Sequence, residues 1–107
     1  MITIEIDNGN GLAVPEGKID ATIEMLIERI RHSKAVPAIG QNELVYGLRL
    51  AVKQKRIDPF IFVGKGYAVR LRESGNLEHY PKDFPGDVVD RLMRDIIRSN
   101  LVDQNPQ

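Results

Sequence analysis

The chain has 107 residues with 15 basic and 15 acidic side chains, so it is neutral overall, and it contains neither cysteine nor tryptophan. That length suits one domain whose core needs no covalent staples. The missing cysteine excludes disulfides, thiolate zinc sites and cysteine nucleophiles, and the low aromatic content leaves few platforms for stacking single-stranded nucleic acid. No apolar run is long enough to span a bilayer, and no basic start leads into an apolar signal region. The expectation is a soluble cytoplasmic protein.

Ile2, Ile4 and Ile6 alternate with Thr3, Glu5 and Asp7, the period of a strand with one buried and one wet face. Asn8-Gly9-Asn10-Gly11 reads as a turn, because Asn and Gly tolerate positive φ. A short strand at Leu12 to Val14, stopped by Pro15, is expected to fold back on the first. From Lys18 to about Ser33, Ile19, Ile23, Leu26, Ile27 and Ile30 form one helical stripe. Asp20 and Glu24 stand early and Arg29, Arg31 and His32 late, which complements the helix macrodipole. Glu28 and His32 are spaced to pair across one turn or to share a metal, with a surface contact the ordinary reading. Ala35 to Gly40 is a connector.

A second helix is expected from Gln41 or Asn42, with Asn42 as N-cap and Glu43 in the first turn. Leu44, Val45, Leu48, Ala51 and Val52 face one way. At about 100° per residue, Asn42, Tyr46, Arg49, Lys53 and Arg56 fall on the other side. These are side chains of a kind that reads duplex DNA: Asn for adenine edges, Arg for guanine edges, Lys for phosphates. A solvated helix face has the same composition. Leu50, Tyr46 and Met25 are apolar residues off the main stripes.

Asp58-Pro59 ends the helix, since a residue before proline avoids the α region. Phe60 to Val63 run apolar on both faces, as in a buried central strand, and Gly64-Lys65-Gly66 turns the chain into Tyr67 to Arg72. There Ala68, Arg70 and Arg72 alternate with Tyr67, Val69 and Leu71. Leu77 to Tyr80 is a candidate third strand of this meander. A third helix is expected after Phe84, with Asp83 as its cap, on the stripe Val88, Val89, Leu92, Met93, Ile96 and Ile97. The expected architecture is α+β: a small antiparallel sheet, formed by the N-terminal strand and a two- or three-stranded meander, packed by about three helices in the order β-α-α-β-β-(β)-α. Residues 1–99 are read as one compact domain and 100–107 as a disordered polar tail.

The charge is sorted along the chain. Residues 1–28 carry a net −5, residues 29–72 a net +8 and residues 73–107 a net −3. Such a basic middle can mark a polyanion surface, or it can simply lie beside the acidic segments.

No catalytic constellation stands out, and no cofactor or metal is implied. The histidines, His32 and His79, lie in no metal-binding pattern. Gly64-Lys65-Gly66 lacks the spacing of a phosphate loop and joins strand to strand, so no helix N-terminus faces it. Asp58 and Lys65 lack the second carboxylate that a metal-dependent nuclease needs. A helix followed by a basic hairpin resembles the second half of a winged-helix domain, over less than half of the chain and by order rather than motif. That resemblance implies a nucleic-acid-binding module with Asn42, Tyr46, Arg49, Lys53, Arg56, Lys65, Arg70 and Arg72 at the interface. The fold wants two helices between the first helix and the wing, and here only Ala35 to Gly40 is available for the missing one. The alternative is a protein-binding accessory factor, inhibitor or adaptor of bacterial or phage type, including a homodimer. The two readings differ in their demand: one continuous cationic surface for nucleic acid, an apolar patch or open strand edge for protein.

Overall fold

The structure is a computed structural model that describes residues 1–81 and Phe84. The order of elements is β1 (Thr3–Glu5), a single 3-10 turn (Glu16–Lys18), α1 (Ile19–Arg31), α2 (Asn42–Lys53), β2 (Ile61–Gly64) and β3 (Tyr67–Arg70). The strands form one mixed sheet in the order β1-β2-β3, and this corrects the expected antiparallel sheet. β1 runs parallel to β2, with Thr3 opposite Ile61 and Glu5 opposite Val63, while β2 and β3 make the expected antiparallel hairpin with Ile61 opposite Arg70. Parallel pairing needs a long crossover, and the two helices supply it. The third helix and the polar tail lie outside the described residues.

Two features of the connections differ from the sequence expectation. Leu12 does not fold back on β1. Ile39, from the connector between the helices, makes parallel bridges to both Ile6 and Leu12 and so separates them. The ladder is continuous: Ile39 donates its N–H to Glu5 and accepts from Asp7, and Leu12 donates to Ala38. The connector is thus a strand reduced to one residue, and each helix runs back past the sheet between passes in the direction of β1. Leu77 likewise makes only a single bridge to Leu71, in place of a third meander strand. The N-cap of α2 is Gln41 rather than Asn42, and the Gln41 amide instead accepts from the Val14 N–H at 2.9 Å and donates to its carbonyl at 3.0 Å. That side chain imitates a strand partner.

The core forms where the stripes predict. Ile4, Phe62 and Val69 share one face of the sheet and cluster with Leu26 and Ile27 of α1 and Leu44, Leu48 and Val52 of α2. Phe60 and Phe62 meet edge to face at 4.9 Å, and Phe84 extends the aromatic group by contacts to Phe62 and Tyr67. β2 is the central strand, but it is buried on one face only: Ile61 and Val63 on the other face are half-buried, beside exposed Thr3, Glu5, Ala68 and Arg70. β2 is held between two strands, so the hairpin is part of the sheet, with Lys65 exposed at its tip.

Candidate functional site

The eight residues picked out as a nucleic-acid interface fall in four different settings. Arg49 is the clearest departure. It is 1% exposed, although it sits on the flank of α2 that the helical wheel assigns to water. The chain after β3 explains this, because the Arg72–Tyr80 segment lies along that flank. The Arg49 guanidinium donates through Nε to the Gly75 carbonyl at 2.9 Å and through Nη2 to the Tyr80 hydroxyl at 3.4 Å, with the Tyr80 ring centroid 6.0 Å away. Burial pulls this guanidinium below its usual basicity, and the Tyr80 contact opposes the shift. Its Nε bond to Gly75 is buried and its contact with exposed Tyr80 is part-buried, so the guanidinium is covered by this segment rather than open to water.

Arg56 is exposed but neutralised. It lies just past the end of α2 and grips Glu24 of α1 with both terminal nitrogens, at 2.9 and 2.6 Å. The paired hydrogen bonds hold the Glu24 carboxyl below, and the Arg56 guanidinium above, their ordinary values. Asn42, Tyr46 and Lys53 are half-buried on α2. Lys65, Arg70 and Arg72 are exposed, with Lys65 in the turn and the two arginines at the far end of β3. Arg70 thus stands on the sheet face away from the helices, while Arg72 opens the segment that runs along α2. Arg29 is another base in use by the fold, donating from Nε to the Ala35 carbonyl at 2.6 Å and so fixing the exit from α1.

Neither histidine gathers further ligands. His32 meets Glu28 at 2.7 Å with both side chains 61% exposed, the expected surface contact, and His79 is exposed. Among the described residues, no group of three or more His, Cys, Asp or Glu stands close enough to hold a metal ion, and no helix is long and apolar enough to cross a membrane.

A different site emerges on the outer side of the helix pair. Gly47 of α2 lies so close to Ile23 of α1 that a Cβ added there would stand 2.3 Å from the Ile23 Cδ1. A groove of about 660 Å³ lies along the two helices at this crossing. Ile19, Ile23, Tyr46 and Leu50 line it as apolar residues, and Asp20, Glu24 and Glu43 supply acids against Arg56 alone. Sequence periodicity gave a partial signal for it, since Tyr46 and Leu50 were the apolar residues left off the core stripe. Which helix they would be set against depended on the crossover. Compared with protein-family models, curated proteins and solved structures, the chain matches none.

Proposed function

We propose that this chain is a protein-binding module whose docking surface is the groove between α1 and α2, and that its partner there is a basic amphipathic helix. The observation that carries this reading is the chemistry of the groove, whose lining combines apolar Ile19, Ile23 and Leu50 with three acids against one base. A helix placing apolar anchors at i, i+3, i+4 and i+7 fills such a groove, and lysines beside the anchors meet Asp20 and Glu43. The demand of the nucleic-acid reading is the one that fares worse, because Arg49 is covered and Arg56 is paired.

The test is selection of helical peptides from a randomised display library on the full chain, followed by titration of the selected peptides against Leu50→Asp and Glu43→Lys variants. The expected result is a consensus with cations flanking apolar anchors, and binding lost with Leu50→Asp and weakened with Glu43→Lys. Peptides that bind both variants as tightly as the unmodified chain overturn the groove assignment. Steeply salt-dependent binding of duplex DNA, reduced by Arg70→Ala and Arg72→Ala, would restore the nucleic-acid reading.

A further inference from the structure

Both helices end on a residue that the local backbone disfavours. After α1 and after α2 the chain closes in the same way: Ser33 donates its N–H to the Ile30 carbonyl and Lys34 to Arg29, while Lys55 donates to Val52 and Arg56 to Ala51, all at 2.8 to 3.1 Å. That closure puts one residue in the left-handed region, where glycine is the usual choice. Here the residues are Ser33, with φ +54°, and Lys55, with φ +61°, and among the described residues they are the two non-glycine residues with positive φ. Both line the same cleft, of about 410 Å³. Glycine would close either helix with less strain. Two disfavoured side chains at one cleft point to a use for the side chains themselves.

We infer that this cleft binds a small carboxylic acid with an apolar body. Ile2, Ile30 and Ile57 supply apolar lining for the body, and Arg31 lines the cleft beside Ser33 and Lys55 to receive the carboxylate. A guanidinium matches the planar carboxylate with two parallel donors, an ammonium adds a point charge, and a hydroxyl adds a further donor. Among the described residues Arg31 and Lys55 take part in no ion pair, whereas Arg56, which also lines the cleft, is held by Glu24. Two available cationic side chains against the one carboxylate of the lining, Asp58, suit a monoanion better than a phosphate dianion. A helix C-terminus ordinarily repels an anion through its free carbonyls. Those of Arg29, Ile30, Ala51 and Val52 already accept the closing N–H groups. Arg31 and Lys55 are exposed, so solvent screening keeps the affinity low, on the order of millimolar. The inference does not rest on the groove reading.

The test is a nuclear magnetic resonance titration of the isotope-labelled full chain, at constant ionic strength, with hexanoate, hexanol and inorganic phosphate as probes. Hexanoate is expected to give saturable shifts centred on the amides of Ile30, Ser33, Lys55 and Ile57, and the other two probes much smaller ones. Arg31→Gln and Lys55→Gly are each expected to weaken hexanoate about fivefold or more. Lys55→Gly also separates binding from folding, because glycine suits the left-handed position: its melting temperature is expected to hold or rise while binding falls. The inference is overturned by the absence of saturable shifts with hexanoate, or by shifts centred elsewhere. It is equally overturned if hexanol binds as well, if phosphate binds more tightly, or if either variant binds hexanoate as the unmodified chain does.

Discussion

The basic flank of α2 and the basic flank of β3 read alike in the sequence, with arginines and lysines at the regular spacing of a surface, yet the fold treats them in opposite ways. On α2, Arg49 is covered and bonded to the Gly75 carbonyl and Arg56 is clamped by Glu24. On β3, Arg70 and its neighbour Arg72 stay in water. The difference arises from what runs past each element. The α2 flank borders both the Arg72–Tyr80 segment and the acidic helix α1, whereas both helices pack on the far side of the sheet from Arg70. A charged residue at a surface period is thus a donor whose use is decided by distant chain, and the path of the backbone separates structural cations from available ones.

The comparison is broken most strongly at Gly75, which forms the floor under Arg49. Its φ is +84°, and a Cβ there would stand 2.6 Å from the Arg49 carbonyl oxygen. Gly75→Ala combines left-handed strain with a backbone clash that no side-chain rotation relieves, and a loss of about 3 kcal/mol or more is expected by urea denaturation. Arg49→Ala comes next, with an expected loss of about 3 kcal/mol, because it opens a cavity and strips a donor from a buried carbonyl. Arg49→Met, which keeps the stem, should recover part of that loss. Arg70→Ala, the matched change on the other flank, is expected to stay within about 0.5 kcal/mol of the unmodified chain. Equal losses at Arg49 and Arg70 would erase the distinction.

Gly47→Ala sharpens the account of the groove. The added methyl meets the flexible end of Ile23, so overpacking of about 1–3 kcal/mol is offset by about 1 kcal/mol of improved helix propensity. A net loss of about 1 kcal/mol in melting experiments, relieved when Ile23 is also shortened to Val, would show that the two helices meet there. The smallest effect is at Glu24. Its carboxyl is held below its ordinary value of 4.5 by Arg56, so the folded state binds that proton less readily than the unfolded one. The stabilisation is full above the unfolded value and is lost as pH falls through the lowered folded one. Stability of the unmodified chain should therefore drop slightly more than that of Glu24→Gln as pH is taken from 6 through that range, and identical pH profiles would mean that the pair contributes nothing.

Local signals were legible and long-range ones were not. The alternation of Ile2, Ile4 and Ile6, the stripes of both helices and the turn at Gly64-Lys65-Gly66 each reflect neighbours close in sequence, and each element lies where its period places it. Strand pairing has no such signal. A strand with one buried face, such as β1, looks the same beside a parallel or an antiparallel partner, and nothing in Ala35 to Gly40 marks Ile39 as a strand residue. The continuous apolar run at Phe60 to Val63 indicated a central strand correctly and suggested burial on both faces, where the structure places Ile61 and Val63 half in water. Of the interface residues, Arg49 was misread because its burial is imposed by residues 23 to 31 positions further along the chain. The groove was visible only as two apolar residues without a place.

The most direct measurement is exchange of the arginine Nε–H protons by nuclear magnetic resonance, with the Arg49 signal assigned by its disappearance in Arg49→Lys. If Arg49 is held inside the fold by Gly75, its Nε–H exchanges far more slowly than those of Arg70 and Arg72. Exchange at the same rate for all three would place Arg49 on the surface and return the basic face of α2 to the set of binding sites.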